Sequence, residues 1–258
     1  MLGSYEEFKK AVYQLIQLDL NSYKERQMKR RIDALITKHK YNSYMDFIKA
    51  IKTDSALLNE FVTYLTINVS EFYRNPEQWK VLEQDILKDK LDSQAPLKIW
   101  SAACSTGEEP YSLVMLLSKY MPLNKIKIIA TDLDEQVLEK AQIGVYNEKF
   151  VKSLPDDFKK KYFTYINEKS LQISSLIRNQ VEFRKHDLLK DPYPKDCDLI
   201  VCRNVMIYFT EEAKTDIYKA FHNALKKGGF LFVGSTEQII QAAELGYKSY
   251  KSFFYLRL

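Results

Sequence analysis

A chain of 258 residues, 46% hydrophobic and 28% charged, can bury a large core and has room for one α/β domain beside a smaller one. With only 7 Gly and 7 Pro, that composition excludes a fibrous, disordered or low-complexity protein. The net charge of +5 is mild for the whole chain and matters only where basic residues gather.

No run of about 18 apolar residues exists, and the start MLGSYEEFKK has no signal-peptide core, so the expectation is a cytoplasmic protein without membrane insertion. Cys104, Cys197 and Cys202 show no CxxC spacing and fall in apolar runs, which predicts buried free thiols. His39, His186 and His222 are dispersed and none meets a carboxylate at ligand spacing, so no metal is expected.

The first 75 residues read as helices, with residues 76–96 as a connecting helix or linker. In SYEEFKKAVYQLIQLDL the apolar residues fall at helical spacing, and Ser4 with Glu7 forms a capping box. A second helix through SYKERQMKRRIDALITKHK buries Met28, Ile32, Leu35 and Ile36. Its other face is basic: residues 22–40 hold seven Lys or Arg against two acids. Short helices around SYMDFIKAI and SALLNEFVTYLTI complete a small all-α domain.

From residue 97 the rhythm changes. LKIWSAAC, IKIIATDL, VEFRKHDL, DLIVC and GFLFVGS are strand-like, with helical stretches between most of them, which predicts an α/β domain over 97–258 with a mostly parallel sheet. The last helix is expected to stop at Gly228 and Gly229. Two β-rich pieces in GYKSYKSFFYLRL are too close for a crossover and predict a terminal antiparallel hairpin. The stretch 145–180 breaks the alternation and predicts a small β insertion. The whole is a Rossmann-like pattern of the class I methyltransferase type.

In such sheets ligands gather at the carboxyl ends of the strands. The turn CSTGEE after the first strand has one glycine, Gly107, where a pyrophosphate-binding turn wants several. It offers small residues, Ala103 among them, and the carboxylates Glu108 and Glu109, which suit a ligand bearing positive charge such as S-adenosylmethionine. Asp132 and Asp134 end the next strand, Asp132 lying 25 residues after Gly107, so one of them is expected to meet a ribose. Asp187 ends the third strand, and Arg203, Asn204 and Tyr208 follow the fourth.

SAACSTGEEPYSL, TINVSEFYRNP, ATDLD and CRNVMIYF, in the order and spacing found here, resemble the bacterial chemotaxis receptor methyltransferases, the CheR family. The resemblance runs along nearly the whole chain. It implies S-adenosylmethionine as cofactor, S-adenosylhomocysteine as product, and methyl esterification of glutamates on the cytoplasmic helices of membrane chemoreceptors. It implies cofactor contacts from Asn68, Ser70, Arg74, Ala103, Glu109, Asp132, Asp187, Leu188, Arg203 and Asn204, and a tyrosine, Tyr208, near the transferred methyl group. Ser70 stands where some relatives carry threonine, and the hydroxyl is kept.

A glutamate is ionised at neutral pH and attacks a sulfonium without a general base, so the enzyme's task is positioning. Arg74 and Tyr208 are the residues expected to do it; the sequence leaves open whether Arg74 meets cofactor, substrate or both. The basic helix face, Arg26, Lys29, Arg30 and Arg31, is expected to attract glutamate-rich receptor helices. The picture is a monomer recruited to receptor clusters, with no nucleic acid. Methylation of RNA or a small molecule, and a non-catalytic binding module, are the competing readings.

Overall fold

The computed structural model describes residues 2–88, 91 and 96–258. Of the expected connecting segment, residues 89, 90 and 92–95 lie outside the described residues. The chain forms two compact units, Met1–Asn68 with Val205–Ile217, and Val69–Asn204 with Tyr218–Leu258.

The first unit is built on four helices, α1 (Tyr5–Ile16), α2 (Glu25–Lys38), α3 (Tyr44–Thr53) and α4 (Ser55–Thr66). Three begin on side-chain caps: Ser4, Ser43 and Asp54 each accept a backbone N–H from the first turn. The buried stripe of α2 is Met28, Ile32, Leu35 and Ile36, as its spacing predicts. Phe8, Tyr44, Phe47 and Phe61 meet at ring separations of 4.9–6.1 Å and form the aromatic centre. α4 ends at Thr66, where Ile67 turns to a left-handed φ, and helix resumes at α5 (Pro76–Val81) in the expected connecting segment, so residues 67–75, with Tyr73 and Asn75 also at left-handed φ, are not helical.

The second unit holds a seven-stranded sheet whose order is β6 (Val181–Lys185), β2 (Ile128–Asp132), β1 (Ile99–Ala102), β7 (Cys197–Cys202), β8 (Leu225–Val233), β10 (Phe254–Arg257), β9 (Tyr247–Lys251). The first five are parallel, and β10 runs antiparallel to both β8 and β9. This is the five-stranded parallel core with a terminal hairpin that the sequence predicts. Every residue of β1 and β7 is buried, which is why these strands read as mostly apolar runs rather than alternating ones, with Ser101 and Asp198 as their polar members. The order reverses between β1 and β7, so the ligand crevice of the fold opens beyond their carboxyl ends.

A separate three-stranded antiparallel sheet, β3 (Val145–Asn147), β5 (Ser170–Ile173) and β4 (Phe163–Asn167), lies in the expected insertion. Gly228 and Gly229 do not stop a helix. The helix ends at Ala224, and Leu225 already pairs with Cys197 in β8. Leu199 then pairs with Phe230, so β8 makes a detour between the two pairings; Gly228 turns at φ +76° and a Cβ on Gly229 would stand 2.9 Å from the Cys197 carbonyl oxygen. Cys104, Cys197 and Cys202 are buried and free. Among the described residues no helix is long and apolar enough to cross a membrane.

Candidate functional site at the carboxyl edge of the sheet

The turn after β1 passes through Ala103 and Ser105, both at left-handed φ (59° and 49°), and reaches Gly107 at φ 91°, which heads helix α6 (Glu108–Leu117). A Cβ on Gly107 would lie 2.9 Å from the Ala141 Cβ and 3.0 Å from the Tyr111 ring, so the lone glycine of the turn is required by close packing as well as by φ. Asp132, at the tip of β2, ties this turn down: one carboxylate oxygen accepts the Ser105 N–H at 2.8 Å and the other accepts the Asp134 N–H at 3.0 Å. Burial pushes the Asp132 carboxyl up from 3.8 to about 6, partly offset by those N–H donors. Asp134, by contrast, caps the next helix by accepting the Gln136 N–H. Of the two acids that the sequence leaves as alternatives, Asp132 is the one at the strand tip, and Asp134 is taken up by the helix cap.

The acidic pair of the turn splits in the same way. Glu108 is buried and accepts the Thr106 hydroxyl at 2.8 Å, and Ser70 also hydrogen-bonds to it. Glu109 accepts the Ser101 hydroxyl at 2.8 Å and faces Arg203 at 3.8 Å. Burial raises Glu109 from 4.5 to about 6, with Arg203 pulling the other way.

Arg203 follows β7 with its side chain only 2% exposed. One of its nitrogens donates to the Arg74 carbonyl at 2.9 Å, to Asn75 Oδ1 at 3.0 Å and to Gln78 Oε1 at 2.8 Å, and its guanidinium lies 4.6 Å from the centroid of the Phe232 ring. The Arg74 carbonyl also accepts the Trp79 ring N–H at 3.1 Å. Arg203 therefore holds the NVSEFYRNP segment to the end of β7, a role that the sequence does not show. Phe72 is locked at ring separations of 4.8 Å from Tyr146 and 5.2 Å from Phe163, and Tyr73 stacks on Trp79. Arg74 is half-buried; its guanidinium donates back to the Val69 carbonyl at 3.2 Å and acts electrostatically on Glu109. At the third strand tip, Asp187 accepts the Leu189 N–H, and the Leu188 carbonyl accepts the Tyr193 hydroxyl at 2.7 Å.

The second unit thus brings together Ser70, Arg74, Ala103, Glu109, Asp132, Asp187, Leu188, Arg203 and Asn204 along the strand ends and the segment Arg203 clamps. Asn68 and Tyr208 belong to the first unit. There the Asn68 amide donates to Thr66, and the Tyr208 carbonyl accepts the Lys24 N–H at 2.8 Å. On the basic helix, Lys29 pairs with Asp33 at 3.0 Å, and Arg31 donates to the Tyr64 carbonyl with its guanidinium 4.5 Å from the Tyr64 ring. Arg26 and Arg30 are the exposed members of the four. Gln78 and Glu237 also hold the site together and are missed by the motifs, whereas Ser101 lies within SAACSTGEEPYSL; an acid three residues past the glycine that follows β8, in GSTEQ, is the signal for Glu237.

Two buried oxygens at this edge, Ser105 Oγ and Asn204 Oδ1, find no hydrogen-bond partner among the described residues. Together with an Asp132 carboxylate raised by burial, they suit a polar ligand that brings its own hydroxyl and amino donors. Residues 68–252 match the family described as CheR methyltransferase, SAM binding domain, and residues 3–66 match its all-alpha domain.

The chain belongs to the CheR methyltransferase family. It is 44% identical over 254 residues to a chemotaxis protein methyltransferase of Listeria monocytogenes, covering 98% of this chain and 97% of that one. It is 33% identical to the chemotaxis protein methyltransferase of Borreliella burgdorferi over 89% of this chain and 86% of the relative, and 32% identical to chemotaxis protein methyltransferase 1 of Pseudomonas aeruginosa over 92% and 90%. As a CheR methyltransferase it uses S-adenosylmethionine, and its reaction is a methyl transfer in chemotaxis.

Proposed function

We propose that this CheR methyltransferase esterifies glutamate side chains on the cytoplasmic helices of chemoreceptors, as a protein-glutamate O-methyltransferase that works as a monomer recruited to receptor clusters. The observation that carries the reading is Arg74: a half-buried residue whose backbone carbonyl is pinned by both Arg203 and Trp79. A planar fork on a fixed backbone suits a carboxylate, that of the substrate glutamate or of the cofactor's methionine end.

When bound, S-adenosylmethionine supplies an activated methyl group on a sulfonium. The residues proposed to hold it are Ser70, Arg74, Ala103, Glu109, Asp132, Asp187, Leu188, Arg203 and Asn204, with Asp132 accepting ribose hydroxyls. The roles of Asn68 toward the cofactor and of Tyr208 as a neutral donor toward the substrate carboxylate rest on the motifs. A neutral donor fits because the attacking charge disappears during transfer, and tight ion pairing would stabilise the ground state more than the transition state. Arg26 and Arg30, exposed on α2, are proposed to attract acidic receptor helices, a contribution to encounter that falls with salt.

The test is incubation with methyl-labelled S-adenosylmethionine and either receptor-containing membranes or RNA. Base-labile label in the receptor, lost with Arg74→Ala, is the expected result; label confined to RNA overturns the reading. Charge reversal at Arg26 and Arg30 is expected to raise KM for receptor and leave S-adenosylhomocysteine affinity unchanged.

A further inference from the structure

Asn204 is held in an unusual way. It follows β7 at φ +63°, a left-handed conformation that asparagine adopts more readily than other non-glycine residues. The group that holds its backbone N–H there lies 33 residues further on. One carboxylate oxygen of Glu237, Oε2, accepts the Asn204 N–H at 2.6 Å and the Gly234 N–H at 2.8 Å. Asn204 follows β7 and Gly234 follows β8, the neighbouring parallel strand, so a single buried oxygen joins two adjacent strand ends. Glu237 is only 4% exposed.

A Cβ on Gly234 would stand 2.4 Å from Glu237 Oε2, 2.9 Å from the Asn204 nitrogen and 3.0 Å from the Asn204 side-chain amide. The glycine is what lets the oxygen reach both N–H groups. The Glu237 charge is also felt by Glu109 and Arg203, so the same group sits within electrostatic reach of the ion pair at the site.

We infer that Glu237 is a positioning residue for the cofactor. By clamping the Asn204 and Gly234 N–H groups it fixes the left-handed turn that aims the Asn204 side-chain amide, whose oxygen is among the unsatisfied buried atoms of the site. The inference rests on the reading of this edge as the S-adenosylmethionine site and deepens it. Glu237 acts through Asn204 and has no part in the chemistry of transfer.

The test uses the full chain, with S-adenosylhomocysteine as the calorimetric probe and hydrogen exchange of the ligand-free protein as a second readout. Glu237→Ala is expected to weaken S-adenosylhomocysteine binding roughly tenfold or more, as loss of a charge-assisted hydrogen bond would. It should raise KM for S-adenosylmethionine far more than it lowers kcat, and speed exchange of the Asn204 and Gly234 amides. Glu237→Gln keeps an acceptor oxygen and should restore most of the affinity, which a purely charge-based or bulk-stability role would not allow. Gly234→Ala, which crowds the carboxylate without removing it, should reproduce the binding loss if Glu237→Ala does not fold. Parental binding with unchanged affinity in Glu237→Ala or Gly234→Ala, or unchanged exchange at Asn204, overturns the clamp alone. A parent chain that gives no heat with S-adenosylhomocysteine overturns the clamp and the cofactor assignment together.

Discussion

Replacing Arg203 by methionine removes the buried cation that faces Glu109 at 3.8 Å while keeping much of the volume. Three hydrogen bonds go with it, to the Arg74 carbonyl, Asn75 and Gln78 at 2.8–3.0 Å, as does the contact with the Phe232 ring. Even with Arg203 present the Glu109 carboxyl is lifted from 4.5 to about 6, which corresponds to about 2 kcal/mol held against the ionised form. Without the guanidinium that penalty grows, and breaking a buried pair on one side costs about 3–5 kcal/mol. We expect Arg203→Met to lose stability of that size in urea melts at pH 8. Glu109 binds its proton more tightly in the folded chain than in the unfolded one, so folding is favoured as pH falls through about 6 toward 4.5, and the deficit of Arg203→Met should shrink at pH 5 relative to pH 8. The double variant Arg203→Met with Glu109→Gln should recover part of the loss at pH 8, because no uncompensated charge stays buried. A double variant no more stable than Arg203→Met, or a deficit equal at both pH values, would refute the argument that the pair is electrostatic rather than a matter of packing.

Two further outcomes follow from the turn after β1. Asp132→Asn removes a carboxylate lifted from 3.8 to about 6, worth about 3 kcal/mol against the folded state at pH 8, at the loss of one of its two accepted N–H bonds, worth about 1.5–3 kcal/mol. The ligand-free variant should therefore melt at or slightly above the parental temperature at pH 8 and lose that relative advantage below pH 4, while binding S-adenosylhomocysteine far more weakly; a large drop in melting temperature would refute it. Gly107→Ala places a Cβ 2.9 Å from Ala141 and forces φ +91° on a residue with a side chain, at a cost of about 1–3 kcal/mol. Thermal melts should show the loss, and calorimetry should show weaker cofactor binding.

Periodicity and turn chemistry are local, and they were enough to predict α2 with its four buried apolar residues, the five parallel strands and the terminal hairpin. β1 and β7 read as strands from their mostly apolar runs, and their full burial, Ser101 and Asp198 included, is set by the neighbouring strands on both sides. Where local signals conflicted, packing decided. The glycine pair at 228–229 looked like a helix stop, yet Leu225 was drawn into β8 by pairing with Cys197.

What only the tertiary structure decided were pairings between residues far apart in the chain, since nothing in a local pattern records which buried polar group will meet which. Arg203 reads as a ligand contact in CRNVMIYF, and the fold turns it into the clamp on Arg74, Asn75 and Gln78, 125 to 129 residues earlier. Glu237 lies outside the motifs that carry the resemblance, and its hold on Asn204 exists only because β7 and β8 lie side by side. The grouping of Val205–Ile217 with the N-terminal helices is of the same kind, set by backbone bonds from Lys24 to Tyr208 and from Thr210 to Ser22. Burial makes each such polar partner obligatory, and only the folded chain determines which residue supplies it.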